Sequence, residues 1–99
     1  MPDVEDLARI FNVLSVPTRV RMLELIKSRP LCVNALAAQA GITPAAASQH
    51  LRILRDAGVV KAEKRGYYVH YLVNPSVLAR WRSWADGFLK PEEEEPEHV

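Results

Sequence analysis

The stretch from Val33 to Val73 constrains the fold most, because it sets two helix boundaries and a hairpin in immediate succession. Val33–Ala40 is short and alanine-rich, and Gly41 is a natural C-terminal stop for a helix there. Thr43 is a good N-cap and Pro44 a good first-turn residue for a longer helix, which runs to about Ala57 before Gly58 stops it. A short helix, a turn containing glycine and a longer helix are the layout of a helix-turn-helix. Val59–Lys64, a turn at Arg65–Gly66 and Tyr67–Val73 follow, and the second run is rich in β-branched and aromatic residues. That pattern predicts a β-hairpin, which next to such a helix is a wing.

The flanks read as helices. Leu7, Ile10, Phe11 and Leu14 fall at i, i+3, i+4 and i+7, one stripe of a first helix. Ser15-Val16-Pro17 breaks it, and Pro17 suits the first turn of a second helix with Val20, Leu23 and Ile26 inward. Arg29-Pro30 ends that helix. Asn74-Pro75 starts a last helix whose wide apolar face holds Val77, Leu78, Trp81, Trp84, Ala85 and Phe88, with Pro91 closing it. The expected fold is mainly α with a β-hairpin wing (α+β), a winged helix-turn-helix in the order α-α-α-α-β-β-α. No repeat or long linker divides it, so residues 1–90 read as one domain and residues 91–99 as a disordered acidic tail.

Charge narrows the partners. The net charge of +1 hides an asymmetry: five of the 12 acidic residues lie in 91–99, leaving seven against all 13 basic residues in the body. A basic body suits a polyanion such as double-stranded DNA. A single cysteine excludes an internal disulfide framework and fits a reducing cytoplasm. No apolar run approaches the length of a membrane span, and the acidic N-terminus has no signal-peptide pattern. The absence of a Gly-rich phosphate loop, paired carboxylates or a nucleophile–base constellation argues against an enzyme and names no cofactor.

At 100° per residue the fourth helix sorts into two sides. Ala47, His50, Leu51, Leu54 and Ala57 share one; Ala45, Ser48, Gln49, Arg52 and Asp56 share the other, with Arg55 at its margin. The polar side is small near its N-terminus, as a helix needs to be to enter a major groove about 12 Å wide. Gln49 suits a bidentate contact to adenine, Ser48 donates or accepts, and Ala45 fits against a thymine methyl. Thr43, Arg52 and Arg55 suit phosphates instead. At the hairpin turn, Lys64 and Arg65 are expected to meet phosphates or a minor groove. The plain alternatives are a solvated helix face and a solvated turn.

Three motifs in order carry a family resemblance. Phe11-Asn-Val-Leu-Ser-Val-Pro-Thr-Arg-Val-Arg-Met-Leu-Glu-Leu-Ile26, Ile42-Thr-Pro-Ala-Ala-Ala-Ser-Gln-His-Leu-Arg-Ile-Leu-Arg-Asp-Ala-Gly-Val-Val60 and Arg65-Gly-Tyr-Tyr-Val-His-Tyr-Leu-Val-Asn-Pro75 resemble the signatures of the ArsR/SmtB repressors of bacteria and archaea. The similarity covers roughly residues 7–90. It implies a homodimer built from the first and last helices, binding to a palindromic operator, and release by an inducer. It also implies that Ala45, Ser48 and Gln49 occupy base-contacting positions. Leu7, Ile10, Phe11, Leu14, Val77, Leu78, Trp81, Trp84 and Phe88 would then supply the dimer interface, with the tryptophans as buried anchors.

The same resemblance names no inducer. One family metal site uses a Cys-x-Cys pair at the start of the third helix; Cys32 is present, but Asn34 stands at the second position. A soft metal wants two or three thiolates, so Cys32 reads as a partial ligand or redox thiol at most, and as a small buried hydrophobe otherwise. A second family site uses Asp and His on the last helix, which offers Asp86 and no histidine. His50 is expected in the core as a hydrogen-bonded histidine, His70 in the second wing strand and His98 in the tail, without ligand spacing. Ala45, Ala46 and Ala47 keep open a second reading, a dimeric protein-interaction module with weak or lost DNA binding.

Overall fold

The computed structural model describes residues 1–92. From Glu93 on, the acidic tail lies outside the described residues. The elements are α1 (Val4–Val13), α2 (Pro17–Ser28), β1 (Leu31–Cys32), α3 (Val33–Ala40), α4 (Pro44–Asp56), β2 (Val60–Arg65), β3 (Tyr68–Val73) and α5 (Pro75–Leu89).

Local chemistry sets these boundaries. At α1 the Asp6 N–H donates to Asp3 Oδ1 at 2.7 Å and the Asp3 N–H to Asp6 Oδ2 at 3.2 Å, a reciprocal cap at the positive end of the helix. α3 ends on Gly41, whose φ of 72° is the left-handed conformation that costs glycine no Cβ clash. Two residues later Thr43 Oγ1 accepts from the Ala46 N–H at 3.1 Å and starts α4. Residues 41–43 therefore form the tight turn expected between the two helices.

The structure adds a strand that the sequence pattern does not announce. Leu31 and Cys32 pair antiparallel with Tyr71 and His70, giving a three-stranded sheet in the order β1-β3-β2. Two residues after Pro30 are too few to show alternation, so only tertiary pairing defines β1. The hairpin turn also falls one residue later than Arg65–Gly66. Arg65 pairs with Tyr68, which leaves Gly66–Tyr67 as a two-residue loop. Gly66 has φ 64°, as the first central residue of a primed turn requires.

The core is shared by α2, α3, α4 and the start of the wing. Met22, Ile26, Leu36, Leu51, Leu54 and Val59 are its largest fully buried side chains. The inward stripe of α2 is Arg19, Met22, Leu23 and Ile26, at i, i+3, i+4 and i+7. Val20, expected inward, is 39% exposed, because the stripe begins on Arg19 and the buried positions follow from it. α5 packs on α1, where Trp81, Val77 and Ile10 join the core and the Phe11 and Phe88 rings lie 5.9 Å apart.

Candidate nucleic-acid interface

α4 presents one side to the core and the other to solvent. Ala47, Leu51 and Leu54 are buried and His50 and Ala57 half-buried, whereas Ala45, Ser48, Gln49, Arg52, Arg55 and Asp56 are all exposed. Of the three consecutive alanines, only Ala45 is on the open side; Ala46 is half-buried and Ala47 fully buried. The outer surface near the N-terminus of α4 is thus Ala45, Ser48 and Gln49, capped by exposed Thr43. On this solvent-exposed side Ser48 and Gln49 offer hydrogen-bonding groups and Ala45 a methyl, the kinds of group that complement base edges in a major groove.

Along the same side lies a concavity of about 410 Å³ lined by Ser48, Leu51, Arg52, Arg55, Asp56 and Tyr71. It lies between the outer side of α4 and the wing sheet, and it brings two arginines beside Ser48. Arg52 and Arg55 are in this way held one turn or more beyond Ser48 along the exposed side of α4. Tyr71 is the member that sequence reasoning missed. The period-two alternation of Tyr67–Val73 places it on one sheet face, but which face meets α4 depends on packing.

The register divides the wing cations. Ala62 pairs with Tyr71 and Lys64 with Val69, so Lys64 shares the sheet face of Tyr71, the face that meets α4. Arg65 and Glu63 lie on the opposite face, where Arg65 Nε is 3.0 Å from Glu63 Oε1. Both are about half exposed, so the pair is weak.

The residues weighed for metal or redox chemistry are scattered. Half-buried Cys32 lies directly across the sheet from His70, and Asn34 is exposed on α3. His50 and His70 are half-buried, each with a buried Nδ1 that has no hydrogen-bond partner. His50 therefore faces inward as expected, but without the expected hydrogen bond at Nδ1. Its neighbours on the inner side of α4 are Ala47, Leu51 and Leu54, apolar side chains that offer no acceptor. Among the described residues, no three His, Cys, Asp or Glu side chains gather at one point.

The apolar stripes of α1 and α5 divide in two. Ile10, Val77 and Trp81 are 2%, 6% and 7% exposed and fill the core of the chain itself. Leu7, Leu14, Leu78 and Trp84 are half-buried, and Phe11 and Phe88 are exposed. Leu7, Ser83, Trp84, Gly87 and Phe88 line a groove with Met1 and Pro2, a largely apolar surface left open on the α1–α5 side. Arg80 stacks over the Trp84 ring at 5.6 Å.

Known proteins share this arrangement. A family model described as "Bacterial regulatory protein, arsR family" matches residues 16–62, from the approach to α2 into the wing. The transcriptional repressor SdpR of Bacillus subtilis (strain 168) is 30% identical over 80 residues, covering 81% of this chain and 89% of that protein. A crystal structure described as a possible transcriptional regulator for arsenical resistance superposes with a TM-score of 0.74 at 38% identity, covering 82% of this chain and 84% of that one. The solution structure of a homodimeric winged helix-turn-helix DNA-binding domain from Mycobacterium bovis shares the fold, with a TM-score of 0.70, 24% identity and coverage of 93% and 89%. With helix-turn-helix, wing and sequence in agreement, the chain belongs to the arsR family of bacterial regulatory proteins.

Proposed function

We propose that this regulator is a homodimeric repressor that reads a two-fold symmetric operator with α4 of each subunit. The observation that carries the reading is the exposed trio Ala45, Ser48 and Gln49 beside the Arg52–Arg55 concavity. Ser48 and Gln49 supply the base contacts and Ala45 a methyl contact; Thr43, Arg52, Arg55, Lys64 and Arg65 hold phosphates. The repressor assignment draws on the name of the Bacillus relative. The dimer is supported by the homodimeric Mycobacterium neighbour and by the open apolar surface of Phe11, Phe88, Leu7 and Trp84. Residues 1–90 act as the DNA-binding and dimerisation unit.

The donor set suits no family metal. With one thiol at Cys32 and Asn34 beside it, a soft ion gains a single strong ligand there. The inducer is accordingly of another class than arsenite or cadmium. Selection of duplexes from genomic fragments by the purified protein tests the function. A two-fold symmetric sequence with half-sites about one helical turn apart is expected. Failure to retain any duplex at low salt would instead favour the protein-interaction module.

A further inference from the structure

The apex of the wing is aromatic, with its cations set back along the strand. With the turn at Gly66–Tyr67, Tyr67 occupies the apex of the hairpin and is 98% exposed. Tyr68 and Val69 beside it are 63% and 41% exposed. Arg65 lies on the Glu63 face of the sheet and Lys64 on the α4 face, so neither cation occupies the apex. Tyr67 buries nothing that would support the fold, so its whole ring is available to a partner. A bare apolar ring held at a hairpin apex next to a DNA-reading helix is a contact surface.

Building on the function proposed above, we propose that Tyr67 enters the minor groove flanking each half-site and selects A·T pairs there. The chemistry fits a tyrosine better than a lysine. The minor groove is about 6 Å wide, which admits a flat ring edge-on against the sugar walls. The floor of an A·T step shows only acceptors, adenine N3 and thymine O2, to which a phenol O–H donates. At a G·C pair the guanine 2-amino group protrudes into the same space and presents a donor. Tyr67 therefore adds discrimination at positions that α4 does not touch. The two-residue turn, with Gly66 at positive φ, holds Tyr67 at the outermost point of the hairpin.

The test uses the full chain and a duplex that it has itself selected. The flanking pairs are made A·T, G·C or inosine·C; inosine·C keeps most of the major-groove face of G·C but lacks the 2-amino group. Fluorescence anisotropy should give tight binding to A·T and inosine·C flanks and about tenfold weaker binding to G·C flanks. Tyr67→Ala should bind all three alike, at about the G·C level, and Tyr67→Phe should retain part of the preference. Because the Tyr67 ring is solvent-exposed, circular dichroism of both variants should match the parent. Equal binding of parent and Tyr67→Ala to every flank overturns the proposal and leaves the α4 reading intact. So does a Tyr67→Ala variant that changes the oligomeric state instead. A parent that binds no duplex overturns both readings.

Discussion

Arg19, at the start of α2, closes the end of α1: its Nε donates to the Val13 carbonyl at 2.7 Å and its Nη2 to the Asn12 carbonyl at 3.0 Å. The last turn of α1 contains no basic residue, so its carbonyls have no local cation to complement the helix dipole. Arg19 supplies that charge from the next helix while only 7% exposed. The bond locks the α1–α2 corner, and α1 carries Phe11 toward the open α1–α5 surface.

Arg19→Met should therefore destabilise the fold by about 3 kcal/mol, since it leaves two carbonyls without their charged donor. Arg19→Lys should recover only part of this, because one ammonium lacks the planar fork that spans both carbonyls. Urea unfolding at a fixed protein concentration measures both, the fixed concentration keeping any contribution from association the same.

Phe88→Glu should convert the proposed dimer to monomer. Phe88 is 60% exposed and lies against Phe11, so the substitution leaves the core untouched while placing a carboxylate in an apolar contact. Sedimentation equilibrium should show the dimer dissociation constant raised by about 30-fold or more, with an unchanged far-ultraviolet spectrum.

Arg52→Gln should weaken binding to selected and unselected duplexes alike. Removing one phosphate-neutralising arginine lowers the slope of log K against log salt by about 0.9, so a dimer, with two such arginines replaced, should show a slope lower by about 2. A titration across salt concentrations reads the slope directly, and an unchanged slope would remove Arg52 from the backbone-binding set.

Arsenite and cadmium should leave the protein–DNA complex intact. Cys32 has His70 across the sheet and no second thiol. A mobility shift with each ion, repeated on Cys32→Ser, checks this. Release that depends on Cys32 would show that a single thiol is enough.

The helix-turn-helix was legible in the sequence because its punctuation is local. Gly41, Thr43, Pro44 and Gly58 each act within one turn, and 3.6-residue periodicity then assigns every side chain of α4. Arg19 was not legible, since an arginine in an amphipathic helix looks solvated until the neighbouring carbonyls are placed. The apolar stripes of α1 and α5 showed that something must cover them, but not that Ile10, Val77 and Trp81 are covered by the chain itself. Tyr67 and Tyr71 depended on a one-residue shift of the turn and on which sheet face meets α4, both set by tertiary packing.

The most direct test of the central claim compares the parent with the Ser48→Ala/Gln49→Ala double variant in selection from a pool of random duplexes. Both side chains are exposed, so the double variant should fold and keep its salt-dependent, non-specific affinity. The parent should enrich a two-fold symmetric sequence, and the variant should enrich none, with affinity for the parent's site reduced about 100-fold. Enrichment of the same sequence by both proteins would show that α4 does not read the operator through this face.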